Sequence, residues 1–303
     1  MPTAPLDSYT DLASEGQLSG RETFSAVNRD DVRCRLTVFT PELSADEQFR
    51  AAWRRDLGLL RLLSHDGLPE IVDSKDVQGV VYLATEPVPE LTLGQYLESN
   101  TLAWDEIADI GWQIASVMQH LHNSGVAHGG LDEKCVRITP QLRVSVVDTG
   151  FGRWLLAAGE EAALSEINQQ CRSDLVSLGE LLRQLALSNR GSNVSSFSVP
   201  EGWWGLIEDL SDPDSNSFPA TAREVQGRLG RILLEDSGDA MKVVAARTGQ
   251  GQIRSSILDE LLPLPSHSCD DLPEPGNRNK LNWIWLVLAL ALLAATVILS
   301  QRK

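Results

Sequence analysis

A run of apolar residues close to the C-terminal end constrains this chain more than any other feature of its sequence. The residues of Trp283–Leu299 carry no charge, and the hydroxyl group of Thr296 is the strongest polar group among them. As a helix, Leu281–Ser300 spans roughly 30 Å, which matches the hydrocarbon thickness of a bilayer. Because core helices are rarely apolar on every face over this length, the sequence predicts a transmembrane helix at 281–300 and a short basic tail at 301–303.

The orientation of this helix follows from the other end of the sequence. Basic residues lie on both sides of the apolar run, Arg278 and Lys280 before it and Arg302 and Lys303 after it, so the positive-inside rule does not orient it. Met1–Leu12 has neither the basic region nor the apolar region of a secretory signal. We therefore expect a single-pass C-terminal anchor in a membrane, with the rest of the chain in the cytoplasm.

The rest of the sequence has the composition of an acidic globular protein. The 303 residues include 26 Lys and Arg against 42 Asp and Glu, a net charge of −16. This balance argues against a nucleic-acid binder, because phosphate binding relies on Lys and Arg, and it favours a basic protein partner. Residues 236–280 are rich in Gly, Ser and Pro, which predicts a flexible linker and leaves a folded domain at 8–235.

The periodicity of this domain changes along the chain. Val32–Phe39 alternates and Gly79–Ala84 is continuously apolar, which predicts strands, and Ala45–Leu63 has the spacing of an amphipathic helix. The later part is mostly helical, with one short strand. Its predicted elements are Trp104–His122, Leu142–Val147, Asp174–Leu187 and Ala222–Leu234. A small strand-rich part followed by a larger helical part predicts an α+β fold with two lobes.

Seven landmarks occur in a fixed order along this domain: Thr37–Leu43, Leu62–Val72, Tyr82–Val88, His120–Leu131, Val146–Gly150, Ser173–Leu182 and Asp212–Thr221. They resemble, in order, these parts of protein kinases: the strand of the phosphate-binding lysine, the stretch after the next helix, the hinge, the approach to the catalytic loop, the Asp-Phe-Gly stretch, a large-lobe helix and the late Asp-Pro region. The resemblance covers roughly residues 8–235. It implies a bacterial-type Ser/Thr protein-kinase-like domain with a β-rich small lobe and a helical large lobe.

The residues that match the catalytic loop lack its chemistry. Phosphoryl transfer requires positioned phosphates, a metal held by oxygen ligands and a carboxylate that orients the attacking hydroxyl. By resemblance, Gly130 replaces the catalytic aspartate, Asp132 replaces the lysine that contacts the phosphate, and Cys135 replaces the metal-binding asparagine. A carboxylate repels phosphate, and a thiol is a poor ligand for Mg²⁺. An alternative, in which Asp132 acts as the base two residues late, requires a different loop geometry.

The nucleotide-binding positions are altered in the same way. The family's lysine matches Thr37, and the alanine that lies against adenine matches Arg35, whose bulk predicts a crowded slot. A register shift of two residues would place Arg35 at the lysine position, although arginine does not simply replace lysine there. The partner glutamate matches Asp56, which is one methylene shorter. Gly16 and Gly20 alone represent the glycine-rich loop.

Three polar positions are kept. Asp148 matches the Mg²⁺-binding aspartate, and two interpretations stay open: residual metal and nucleotide binding, or a structural carboxylate that caps the turn before Gly150. Thr149 replaces the aromatic residue that follows, so an apolar plug is lost. By resemblance, His128 and Asp174 anchor the catalytic-loop backbone to a large-lobe helix.

The sequence therefore predicts a pseudokinase, tethered to a membrane, that acts by binding as a cytoplasmic docking or regulatory module without a cofactor. Two alternatives stay open. One is a divergent, active Ser/Thr protein kinase that uses ATP and Mg²⁺ through Asp148. The other is a tail-anchored structural scaffold in which the domain only positions the linker.

Overall fold

The small lobe is built on an antiparallel sheet. The structure, a computed structural model, describes residues 8–18, 20–77, 79–157, 167–188 and 199–236. The five strands lie in the order β1-β2-β3-β5-β4. Their bounds are β1 Tyr9–Leu18, β2 Arg21–Asn28, β3 Arg33–Phe39, β4 Ile71–Val77 and β5 Val80–Thr85. The strands predicted at Val32–Phe39 and Gly79–Ala84 are confirmed as β3 and β5.

Two helices connect β3 to β4. Helix α1 spans Pro41–Ala45 and helix α2 spans Glu47–Leu60. The sequence predicts a single helix over 45–63, but the Asp46 side chain accepts a hydrogen bond from the Phe49 backbone N–H at 2.8 Å and starts a new helix there. Helix α2 buries Phe49, Trp53, Asp56 and Leu60 at helical spacing.

The large lobe surrounds one long helix, α4 Trp104–Asn123, whose predicted apolar stripe is confirmed as fully buried. Helix α4 packs against α6 and α8. The short strands β6 and β7 pair next to it. The remaining bounds are α3 Leu93–Ser99, β6 Val136–Ile138, β7 Val144–Val146, α5 Phe151–Ala157, α6 Ile167–Ser188, α7 Glu201–Ser211 and α8 Ala222–Asp236. The sequence pattern does not predict α5, the helix that follows Gly150.

The predicted membrane segment is not among the residues that the structure describes. The linker after residue 236, the apolar segment 281–300 and the tail 301–303 all lie outside the described residues. In the ranges that the structure does describe, none of the helices is both long and apolar enough to cross a bilayer. The anchor therefore stays a prediction from the sequence.

Candidate functional site

Asp148 lies in the cleft between the lobes and binds two arginines of the small lobe. Arg21 at the start of β2 donates from Nη2 to Oδ2 at 2.7 Å, and Arg35 in β3 donates from Nη1 to Oδ1 at 2.8 Å. All three side chains are buried, and Asp148 is exposed over 3% of its side chain. Each carboxylate oxygen of Asp148 therefore accepts a short, charge-assisted hydrogen bond.

A second carboxylate extends this cluster across the cleft. Glu15 in β1 accepts from Arg35 Nε at 3.3 Å and lies 3.5 Å from Nη2 of Arg137 in β6. Arg137 Nη1 also donates to the backbone carbonyl of Glu90 at 2.8 Å. The resulting charged cluster consists of Glu15, Arg21, Arg35, Arg137 and Asp148, and its members come from both lobes.

The arginines determine the charge of Asp148. Burial alone would raise the pKa of this carboxyl group, but Arg35 and Arg21 outweigh the burial and hold its pKa below the usual range. The pKa of Arg35 is raised, because Asp148 and Glu15 outweigh the lowering effect of burial. The cleft therefore contains a fully ionised, paired carboxylate.

Asp174 on α6 holds a different part of the same region. Its Oδ2 accepts the backbone N–H of His128 at 2.7 Å, and its Oδ1 accepts that of Gly129 at 2.8 Å. The His128 ring is buried and donates from Nε2 to the Val147 carbonyl at 2.9 Å. These contacts fix the backbone before Gly130 against α6 and against the segment that leads to Asp148.

His122 adds a positive charge to this anchor. Its Nε2 lies 3.0 Å from Oδ2 of Asp174. Burial lowers the pKa of His122, but the hydrogen bonds to Asp174 and Cys171 outweigh this effect and raise the pKa to about 9. His122 is therefore protonated at neutral pH and pairs with the anchoring carboxylate.

Comparison with known protein families shows which family the chain belongs to. The family model described as protein tyrosine and serine/threonine kinase matches residues 20–207. The chain belongs to the protein kinase family. Relatives include serine/threonine-protein kinase pkn1 of Chlamydia caviae, 27% identical over 173 residues, which cover 54% of this chain and 28% of the relative. The probable kinase PknB of Lactococcus lactis is 28% identical over 134 residues, which cover 44% of this chain and 21% of the relative.

The solved structures agree with the fold. The kinase domain of PknI from Mycobacterium tuberculosis superimposes with a TM-score of 0.59 at 16% identity, covering 75% of this chain and 96% of that domain. The predicted two-lobed kinase fold is therefore confirmed. The chain spans about a quarter of the length of the two curated kinases above.

The catalytic loop of this kinase domain uses its polar groups internally. Asp132 Oδ1 accepts the backbone N–H groups of Lys134 and Cys135, each at 2.9 Å. The buried Cys135 thiol donates to the Gly130 carbonyl at 3.4 Å, and burial raises the pKa of that thiol. Asp132 thus shapes the turn of its own loop, which disfavours its use as a displaced base.

The donor set around Asp148 does not fit the Mg²⁺ that kinases use. Mg²⁺ requires oxygen ligands in an octahedral arrangement, and both oxygens of Asp148 are already paired with guanidinium groups. A divalent cation there would also meet the positive charges of Arg21 and Arg35. Neither of the two interpretations that the sequence leaves open for Asp148 includes these arginines, which bind both oxygens of its side chain.

Asp56 does not complete the ion pair that the family pattern implies. Its Oδ2 accepts from Trp154 Nε1 at 3.0 Å, and its Oδ1 accepts from Arg55 Nε at 2.9 Å. Thr37 is buried in β3 and Arg35 turns to Asp148, so Asp56 binds neither of them. Trp154 of the short helix α5 is thus the partner of Asp56, in place of a residue on strand β3.

Helix α5 comes so close to the catalytic loop that both sides require glycine. A Cβ atom on Gly152 would lie 1.4 Å from the carbonyl oxygen of Gly129, and Gly129 itself has a φ of +75°. Trp154 is fully buried, and its ring contacts those of Phe39 and Phe151. The close packing of α5 and the positive φ therefore explain why this chain has glycine at position 129, where the family has arginine.

Two cavities border the charged cluster. One of about 250 Å³ is lined by Arg21, Asp132, Lys134 and the other side chains around Gly130. The second, of about 50 Å³, lies beside Thr149 and is otherwise mostly apolar. The small cavity lies at the position where the sequence predicts the loss of an apolar plug.

Sequence reasoning missed three members of the charged cluster: Glu15, Arg21 and Arg137. A weak signal existed for one of them, because Arg137 lies between Val136 and Ile138 in a short apolar stretch. A charge in such a stretch indicates a buried partner. Nothing in the local sequence marks Glu15 or Arg21, since their partners lie far away in the chain.

Proposed function

We propose that this protein is a pseudokinase that acts by binding other proteins and not by phosphoryl transfer. One observation carries the proposal: the single metal-binding carboxylate that the chain keeps, Asp148, has both oxygens paired with arginines. Gly130 offers no side chain where a catalytic carboxylate would be needed. The kinase scaffold around Asp174 is nevertheless kept intact, which supports a role for the folded surface itself.

The proposal includes the loss of nucleotide binding, which can be tested directly. The thermal midpoint of the full chain, purified in detergent, is measured with ATP alone and with ATP and Mg²⁺, beside an active kinase as a positive control. A ligand raises the thermal midpoint by binding the folded state. Because we propose that the folded chain does not bind ATP with Mg²⁺, we expect no metal-dependent rise. A clear rise with Mg²⁺ would contradict the loss of nucleotide binding.

Phosphate transfer separates this proposal from the rival reading as a divergent active kinase. We expect no transfer to the chain itself or to a generic protein substrate. Transfer that is abolished in Asp148→Ala would establish the active kinase instead. The matched control is Asp214→Ala, which alters an exposed carboxylate of the large lobe.

The same proposal places the domain at a membrane, in the cytoplasm, by way of Leu281–Ser300. It is supported by the almost uninterrupted apolar character of this segment, which contains no charged residue. Leu290→Arg combined with Leu293→Arg should move the chain from the membrane fraction to the soluble fraction, because each central arginine opposes insertion by about 3 kcal/mol. Gln301→Arg, beyond the apolar run, is the control. Retention of the double variant in membranes would refute the anchor.

The partner that fits this domain is a basic protein. The net charge of −16 supports this choice, because an acidic surface attracts basic partners and accelerates their association. Association with a candidate partner should weaken as the salt concentration rises. Under the scaffold alternative, deletion of the linker 236–280 would disturb function more than neutralisation of surface carboxylates. That outcome would contradict a docking function of the domain.

A further inference from the structure

Three cation–carboxylate contacts cross the cleft, and each joins one lobe to the other. Arg21 and Arg35 of the small lobe both bind Asp148, which follows β7 of the large lobe. In the opposite sense, Glu15 of the small lobe approaches Arg137 of the large lobe. Arg35 belongs to both groups, since it also donates to Glu15. The contacts therefore form one connected network across the cleft.

Burial makes these contacts different from surface ion pairs. The side chains of Arg21, Arg35 and Asp148 are exposed over 8%, 6% and 3% of their areas. In such surroundings a charge that loses its partner is costly, on the order of 3–5 kcal/mol. Separation of the lobes would break all of the contacts together, so the network opposes opening of the cleft.

An aromatic contact connects this network to α5. The Arg21 guanidinium lies 4.4 Å from the centre of the Phe151 ring, and Phe39 of β3 packs against Phe151 at a centroid distance of 5.3 Å. Trp154, three residues further along α5, donates to Asp56 of helix α2. Charged and aromatic contacts of α5 thus link it to the small lobe.

The network also has an excess of positive charge. It contains three guanidinium groups and two carboxylates, and the Nε atoms of Arg21 and Arg137 are buried without a hydrogen-bond partner in the part of the chain that the structure describes. Loss of one carboxylate therefore raises the imbalance, whereas loss of one arginine removes it. This asymmetry is specific to a charge network and is not expected from simple packing.

We infer that the charged cluster of Glu15, Arg21, Arg35, Arg137 and Asp148 is a built-in inter-lobe lock that holds the cleft closed without any ligand. This inference rests on the proposed loss of nucleotide binding. In an active kinase, nucleotide and metal lie between the lobes. Here the chain supplies both signs of charge itself, so the docking surface has one fixed shape that is independent of the nucleotide concentration.

Hydrogen–deuterium exchange of the full chain tests the lock. In Glu15→Gln, amide exchange should accelerate about fivefold on both sides of the cleft, in β2–β3 and in β6–β7, because the cross-lobe contact is weakened. Arg137→Gln should have a smaller effect, since it relieves the excess positive charge. Arg183→Gln, which breaks an exposed ion pair with Glu180 on α6, is the control and should leave both regions unchanged.

A double-mutant cycle makes the test decisive. Glu15→Gln combined with Arg137→Gln should accelerate exchange no more than Glu15→Gln alone, because one contact cannot be lost twice. Additive effects, or acceleration confined to the small lobe, would overturn the lock. Glu15 is 25% exposed and Arg137 is 12% exposed, so these variants avoid the most buried residues. If Glu15→Gln does not fold, Glu15→Asp replaces it in the cycle, with the same expectation.

The two proposals fail in different ways. A metal-dependent rise in midpoint with ATP in the unaltered chain would contradict the proposed loss of nucleotide binding, whatever the exchange experiment shows, and phosphate transfer would refute the pseudokinase. Additive exchange in the cycle, with no response to ATP, would refute the lock and leave the pseudokinase standing.

Discussion

Two buried carboxylates of this domain, Asp148 and Asp174, occupy similar surroundings but have different kinds of partners. Asp174 accepts hydrogen bonds from two backbone N–H groups and lies beside His122. Asp148 accepts hydrogen bonds from two guanidinium groups instead. Asp174 therefore holds the backbone of the loop before Gly130, whereas Asp148 holds two side chains of the small lobe.

The difference shows that a buried carboxylate of this fold can hold either the backbone or other side chains. Two of the donors to Asp174 are backbone groups, which any sequence supplies once the chain follows this path, and the third is the His122 side chain. The donors to Asp148 are arginines that this particular chain supplies. Similarity to the kinase family therefore predicts the contacts of Asp174 with the backbone. It gives no information about the arginines that bind Asp148.

Removal of the anchoring carboxylate should have the largest effect. Asp174→Ala leaves the buried N–H groups of His128 and Gly129 without acceptors, and we expect a loss of about 3–5 kcal/mol in the free energy of unfolding. Urea denaturation measures this loss, with the exposed Asp214→Ala as a control that should change stability by less than about 0.5 kcal/mol. A loss below about 1 kcal/mol would contradict the anchoring role.

Neutralisation of the other carboxylate should come second. Asp148→Asn keeps the shape of the side chain but leaves two buried arginines without their counter-charge, so we expect a loss of about 3 kcal/mol at neutral pH. A metal-binding carboxylate without partners would give no such loss. Unchanged stability of Asp148→Asn would therefore show that the arginines do not depend on it.

The pH dependence of this second effect has a definite sign. The pKa of Asp148 is lowered in the folded state, so its contribution is present above the unfolded pKa of about 3.9 and is lost as the pH falls through the lower folded value. The difference between the unaltered chain and Asp148→Asn should persist at pH 5 and disappear in strong acid. A difference that vanishes already between pH 7 and pH 5 would contradict the pairing.

His122 should produce a smaller effect in the alkaline range. Its pKa is raised to about 9 in the folded state, so its contribution is complete below about pH 6.5 and is lost as the pH rises towards 9. We expect a decline of at most about 3 kcal/mol across this window. His122→Gln should flatten the decline in urea midpoint, and a slope that stays the same would remove His122 as its cause.

Restoration of one family residue should have the smallest effect. Cys135→Asn restores the asparagine that the family has at this position. Because Arg21 and Arg35 still bind both oxygens of Asp148, no binding of ATP with Mg²⁺ should appear. Stability should fall by about 1–2 kcal/mol, because asparagine is close to cysteine in size but buries a polar amide at the position of the Cys135 thiol. A metal-dependent rise in thermal midpoint of this variant would show that the cleft is less blocked than the contacts indicate.

Most of the fold could be predicted from the sequence, because periodicity reports burial locally. The stripe on α4 and the strands β3 and β5 are examples. Helix α5 could not be predicted in this way. Its existence depends on close contact with Gly129 and on the pocket that receives Trp154, and both are supplied by distant parts of the chain.

The sequence by itself determined the family and the order of the landmarks, because these depend on which residue stands at which position. Only the tertiary structure decided which side chains pair across the cleft. Arg21 and Arg35 lie 127 and 113 positions from Asp148, and Trp154 lies 98 positions from Asp56. Such pairs form only when the lobes close, since a side chain a few ångströms long finds its partner through the fold and not through the sequence.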